Sequence, residues 1–248
     1  MVVGLIIEYG IQLYEGYLWT LSISDPRVVE WPLLSTPLYT VGIILAYLLI
    51  VWLGPIVMRR REAFSLRIPL VIYNSAMTAF NLYIGCELFY AAGKAGYSYK
   101  CQPIVFSYDQ WEMRIAKALY WFYISKLLEF FDTFFFILRK KNRQISFLHV
   151  YHHTTMFFFW WIGMKWVAGG SSFLPAMLNS FVHTIMYLYY MLTAAFPRAN
   201  FWWKRYLTML QLIKSGHCGI VYNKRDPQTE GLPSPHHNRA EPNDEQIS

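Results

Sequence analysis

Residues Leu38–Met58 run for twenty-one positions without one charged side chain, and the run stops at Arg59-Arg60-Arg61. As a helix rising 1.5 Å per residue it would measure about 30 Å, the thickness of a bilayer's hydrocarbon core. A chain with such a run either crosses a membrane or hides the run in a large apolar core. Composition favours the membrane. Hydrophobic residues make up 55% of the chain and charged residues 15%, against about 25% charged in an average soluble domain. A single soluble core of this size needs no such depletion. The same figures exclude a disordered chain and argue against an ordinary soluble enzyme. A length of 248 residues leaves room for about six or seven spans.

Further apolar segments follow. One runs from about Ile68 to Ala92, then a turn-rich loop, Gly93–Gln110. Another covers about Glu112–Leu138 and ends in Arg139-Lys140-Lys141-Asn142-Arg143. A fourth extends from about Ile145 to Ala168, a fifth from Pro175 to Phe196, and a sixth starts near Phe201. Arg59–Arg61 and Arg139–Arg143 are an even number of crossings apart, so both basic clusters fit the cytosolic side. The N-terminus and the loop with Cys101 then fall on the other side. The net charge of +7 therefore reads as positive-inside bias rather than a nucleic-acid surface. Three cysteines make neither a disulfide framework nor a metal pair, and Val2–Ile7 is too short and unflanked for a secretory signal. The organisation expected is an N-terminal segment over 1–37, a membrane domain over 38–213 and a polar tail over 214–248.

Charged side chains at mid-bilayer are expensive and functional by default. Three groups stand out. Lys126, Glu129, Asp132 and Thr133 fall within an arc of about 120° on one helix, with Leu127, Leu128, Phe130 and Phe131 around the rest. An internal salt bridge that eases insertion would explain two of them, and three charges exceed that need. His149, His152 and His153 share a face, which suits metal ligation or acid/base and nucleophilic work by imidazole. Asn179, His183, Met186, Tyr187 and Tyr190 share a third face, where the bland reading is polar glue between helices. Counted from the basic clusters and from Arg198, the charged and histidine positions lie about 10–22 Å deep. Three helices can therefore aim polar faces at one buried place.

Lys126-x-x-Glu129-x-x-Asp132-Thr133, His149-Val-Tyr-His152-His153 and Asn179-x-x-x-His183-x-x-Met186-Tyr187-x-Tyr189-Tyr190, in this order, resemble the signature set of the fatty acid elongases of animal endoplasmic reticulum. Thr208-x-x-Gln211 is a fourth, partial match. The resemblance covers roughly residues 15–213. The Val after His149, with the stretches 161–170 and 204–213, resembles the polyunsaturated and very-long-chain branch. The resemblance implies an all-α, multi-pass protein of the endoplasmic reticulum membrane, a helical barrel around a buried acyl tunnel. It implies about six spans here where the family has seven. It further implies condensation of a long acyl-CoA with malonyl-CoA, releasing CO2 and CoA, with no cofactor. Membrane lipid, copies of itself and other enzymes of the elongation cycle are the implied partners, and nucleic acid is not.

That resemblance favours His152 as the acyl-accepting nucleophile and His183 near the reacting carbon. His149 and His153 are acid/base or orienting groups held by Asp132 or Glu129. Lys126 balances those carboxylates, and Asn179 is an oxyanion donor. Thr133, Met186, Tyr187, Tyr190 and Gln211 are expected at the substrate, and Arg139, Lys140 and Lys141 at the CoA phosphates. Two other readings compete. A di-iron desaturase or hydroxylase shares HxxHH but uses about eight histidines, and only four lie in the recognisable region. A transporter would use the same charges as an ion relay. A third is an elongase-like chain without activity. Lys214 stands where the family pattern has Gln, and 214–248 is rich in Pro and charge, with no apolar run. The tail is expected to be disordered, leaving no seventh span and Cys101 without the partner relatives carry.

Overall fold

The computed structural model describes residues 2–199 and 201–202. The remainder of the expected sixth span, with Thr208, Gln211 and Lys214, and the tail over 214–248 lie outside the described residues. Those that are described form seven α-helices and two short 3-10 turns, with no strand among them. The helices are α1 (Val2–Ser22), α2 (Pro37–Met58), α3 (Arg67–Lys94), α4 (Gln110–Leu128), α5 (Phe130–Leu138), α6 (Phe147–Trp166) and α7 (Phe173–Ala195). The all-α class expected from the sequence is what the described residues adopt.

Helix α1 lies within the N-terminal segment expected over 1–37. Glu8 and Glu15 interrupt its apolar pattern, which hid it from hydropathy, yet it contains no proline to break a helix. Its residues 7–19 are exposed.

Helix α2 starts on a Thr36 cap, whose hydroxyl accepts from Leu38 N at 3.3 Å, with Pro37 in the first turn. Only Thr40, Tyr47 and Met58 are buried along it. With Val51 and Gly54 between them they form one narrow seam, while Leu38, Leu45, Leu49, Trp52 and Ile56 face outward. A Cβ on Gly54 would stand 2.9 Å from Ile137 Cγ2, so only glycine lets α2 and α5 approach this closely. Among the described helices, α2 is the one that qualifies as a membrane span by length and composition alone. The second to fifth expected spans occur as helices close to the expected places, but their polar residues dilute the apolar pattern. Many of these turn inward: Asn74 and Asn81 in α3, Lys126 in α4, and Asn179 and His183 in α7 are buried.

The segment Glu112–Leu138, expected as one helix, is two. The hydroxyl of Tyr73 on α3 donates to Leu128 O at 3.1 Å. Asp132 N, which would have bonded that carbonyl, bonds Glu129 O instead at 3.2 Å. A side chain has entered the backbone ladder, a recognised cause of helix breaks. Around this broken stave, α3 lies between α7 and α4, α4 also meets α6 and α7, and α2 leans on α5 and α6. The α4–α5 segment therefore touches every other helix from α2 to α7, and the charges it carries are covered from several sides.

At one end of the bundle, Arg67 caps the last turn of α7, donating to Ala194 O and Ala195 O at 3.2 and 2.6 Å. At the other end a buried ionic knot gathers four segments. Arg27 bonds both oxygens of Asp25 and the carbonyl of Ala168, and approaches Glu112 at 3.8 Å. Tyr97 donates to Glu112 Oε2 at 2.6 Å. Desolvation alone would lower the pKa of Arg27; the hydrogen bond and charge of Asp25, with Glu112, raise it. Burial first, and Glu112 second, push the Tyr97 hydroxyl up.

Candidate functional site

The last turn of α4 presents Lys126 and, at the break, Glu129. Each is only 1% exposed. Lys126 Nζ donates to Glu129 Oε1 at 2.6 Å and to Asn179 Oδ1 on α7 at 3.1 Å, and it lies over the Phe122 ring at 4.4 Å. The same Glu129 oxygen lies 3.0 Å from His183 Nδ1. Asn179, His183 and Tyr187 are spaced i, i+4, i+8, so α7 offers one buried stripe to this meeting point. On α5, Asp132 accepts from the Tyr187 hydroxyl at 2.7 Å. Thr133 bonds His149 Nε2 on α6 at 2.9 Å and, on its other side, Tyr47 Oη on α2, also at 2.9 Å.

These distances limit the chemistry. An amide oxygen committed to Lys126 leaves the Asn179 NH2 group to donate elsewhere, as an oxyanion needs. A carboxylate beside Nδ1 favours a proton there and leaves His183 Nε2 as the basic nitrogen. Lys126 and Glu129 neutralise each other, so the pair can stay buried while a thioester carbonyl or a carboxylate approaches the ammonium. Among the described residues no group of three or more His, Cys, Asp or Glu is disposed to hold a metal ion.

The structure brings together most of the residues picked from the sequence. Lys126, Glu129, Asn179 and His183 meet directly, Asp132 and Tyr187 pair, and Thr133 pairs with His149. The His153 ring lies 4.4 Å from that of His149 and packs on Phe130. His152 differs from its neighbours. It is exposed, its ring 5.4 Å from that of His153. The buried positions of α6 are His153, Phe157, Trp161, Met164 and Lys165. On a helical wheel they centre about 150° away from His152, so the three histidines straddle the edge of the buried face. Met186 is half-buried, and Tyr190, 39% exposed, packs edge-on against Tyr187. Arg139, Lys140 and Lys141 lie beyond the end of α5, clear of the buried cluster, with Lys140 and Lys141 exposed. Gln211 lies outside the described residues.

Two residues join the site without having been picked. Tyr47 extends the Thr133–His149 chain. Tyr73 holds the break and packs edge-on against Tyr187 at 6.0 Å. The available signal was a tyrosine inside an otherwise aliphatic run, since a buried phenol usually finds a partner.

Comparison with known proteins bears on this arrangement. Residues 32–223 match the model of the GNS1/SUR4 family. The chain is 57% identical over 202 residues to very long chain fatty acid elongase 4 of Mus musculus, covering 81% of this chain and 65% of that protein. It is 58% identical over 202 residues to the Homo sapiens protein of the same name, covering 81% and 64%. It is 48% identical over 206 residues to very long chain fatty acid elongase 5 of Tachysurus fulvidraco, covering 80% and 69%. The chain thus spans just under two thirds of the length of the mouse and human relatives.

Proposed function

The chain belongs to the GNS1/SUR4 family, and on that premise we propose that it is a 3-oxoacyl-CoA synthase of fatty acid chain elongation. A long acyl-CoA gives its acyl group to a histidine or directly to the carbanion. Malonyl-CoA loses CO2 to form an enolate, which attacks the acyl carbon. The products are a 3-oxoacyl-CoA two carbons longer, CO2 and CoA. The reaction runs on its two thioesters and needs no bound cofactor. The observation that carries this reading is the buried junction of Lys126, Glu129, Asn179 and His183, built from two helices some fifty residues apart in sequence.

Lys126 faces the malonyl carboxylate or the thioester. The Asn179 amide receives the enolate oxygen. His183, oriented by Glu129, works at the reacting carbon, and His152 accepts the acyl group. His149 and His153 move or hold protons beside it, and Asp132 with Tyr187 closes the floor. Met186, Tyr190 and Gln211 contact substrate. Arg139, Lys140 and Lys141 take the CoA phosphates on the cytosolic side. The wider setting proposed is a multi-pass barrel in the endoplasmic reticulum membrane with about six spans around an acyl tunnel. Membrane lipid, further copies and the other elongation-cycle enzymes are its partners.

The test is expression in yeast lacking its own elongases, with fatty-acid profiling. Longer acyl chains with the wild-type sequence and none with His152→Ala, at equal membrane content, are the expected result. Wild-type activity in His152→Ala would sink the nucleophile assignment. A second reading, a family member that does not condense, draws on one observation: the nucleophile candidate is exposed while its neighbour His153 is buried. No product from the wild-type chain would favour it.

A further inference from the structure

Tyr47 comes from α2, a helix without a charged residue, and is 2% exposed. Its ring stacks on Phe130 at 4.2 Å and 18°, which fixes where its hydroxyl points. Among the described residues that hydroxyl has one hydrogen-bond partner, Thr133 Oγ1 at 2.9 Å, and the same oxygen is 2.9 Å from His149 Nε2. Three helices thus contribute one linear chain of hydrogen bonds, phenol to hydroxyl to imidazole.

Proton counting sets its direction. The phenol and the threonine own one proton each. If His149 Nε2 also carried a proton and donated it to Thr133, three protons would share two hydrogen bonds. Either Thr133 donates to Tyr47 and the phenol proton has no acceptor, or Thr133 accepts from both neighbours and its own proton has none. Leaving a buried donor unsatisfied shifts the tautomer ratio by roughly five- to a hundred-fold. The opposite direction strands no buried donor: Tyr47 donates to Thr133, Thr133 donates to Nε2, and the imidazole carries its proton on Nδ1, which is not among the buried side-chain atoms without a partner. We propose that Tyr47 is a positioning residue that holds His149 in the Nδ1–H tautomer through Thr133. His149 then offers a donor, not an acceptor, on the side turned away from α5. The catalytic consequence rests on the condensing activity proposed above; the tautomer itself does not.

The experiment uses full-length protein in micelles, labelled with 15N-histidine, the His149 resonances being assigned by their loss in His149→Gln. Three chains are compared: wild type, Tyr47→Phe, and Tyr47→p-aminophenylalanine, which keeps a donor at the same place. Expected are an unprotonated Nε2 in wild type, a protonated or mixed Nε2 in Tyr47→Phe, and return to the wild-type pattern with the amino variant. In the condensation assay kcat should fall about ten-fold or more in Tyr47→Phe, with KM for acyl-CoA little changed, and recover in the amino variant. A protonated Nε2 in wild type, or an unchanged spectrum in Tyr47→Phe, overturns the proposal. A shifted spectrum in Tyr47→Phe from a chain that forms no product supports the tautomer lock and counts against the condensing activity alone.

Discussion

The molecule buries charge in two places, and it treats them in opposite ways. In the knot at Arg27, the guanidinium is shared among two carboxylates and backbone carbonyls contributed by the segment before α2, the loop between α3 and α4, the first turn of α4, and the segment after α6. Every strong group is answered by a partner with no other task, and the bonds tie loops together. About fourteen residues along α4, some 21 Å away, Lys126 divides itself between a carboxylate and an amide, and the carboxylate also serves an imidazole. There the partners are groups whose protons can move and whose spare valences point onward. Buried charge of the first kind holds a fold together; on the function proposed above, the second kind is arranged to do work.

That contrast can be broken experimentally. The largest effect belongs to Lys126→Met, which removes the ammonium and keeps the bulk. The condensation proposed above should fall by about 10²–10³-fold or more, measured by product formation per mole of folded, purified protein. Arg27→Met should do the reverse. It strands Asp25 and Glu112, and breaking a buried ion pair costs about 3–5 kcal/mol. The reading is a lower melting temperature by fluorescence-detected size exclusion, with activity per folded molecule retained. If Arg27→Met lost activity at an unchanged melting temperature, the division between the two regions would fall.

Smaller changes sharpen the same contrast. Gly170 has φ +55°, and a Cβ there would stand 2.8 Å from Ile104 Cγ1 and 3.1 Å from Gln102 O. Gly170→Ala should therefore destabilise by about 2 kcal/mol through the loop alone, visible as thermal shift without a change in kcat. Tyr97→Phe deletes the 2.6 Å bond to Glu112 and should lower stability by about 1.5 kcal/mol. Its hydroxyl is held protonated by burial and by that carboxylate, so the loss should be the same at pH 7 and pH 9.

The junction of Lys126, Glu129, Asn179 and His183 was legible in the sequence because it obeys two local rules. Residues three and four apart share a helix face, and depth can be counted from the basic clusters. What was not legible depends on neighbours. Nothing in Lys126–Thr133 announces a break; Tyr73, more than fifty residues earlier, makes it. Nothing among the histidines says which one faces outward, because the centre of the buried face of α6 is set by α4 and α2. Tyr47 sits in the most uniformly apolar helix, where a hydropathy average conceals a single hydroxyl. Helix α1 escaped for the opposite reason: two glutamates lowered an average that says nothing about backbone conformation.

The seam of α2 has a consequence for assembly. Thr40, Tyr47 and Gly54 are seven residues apart, and each meets a different kind of partner: the Tyr123 hydroxyl at 3.0 Å, the Thr133 hydroxyl, and the branched side chain of Ile137. A greasy helix has little reason to prefer one axial position over another. Sliding this one by a heptad would set a tyrosine against Tyr123 and a glycine against Thr133, leaving hydroxyls stranded and a gap where a ring had been. Three small contacts therefore act as a code for register, and they leave the outward faces of the helix free to change with the lipid.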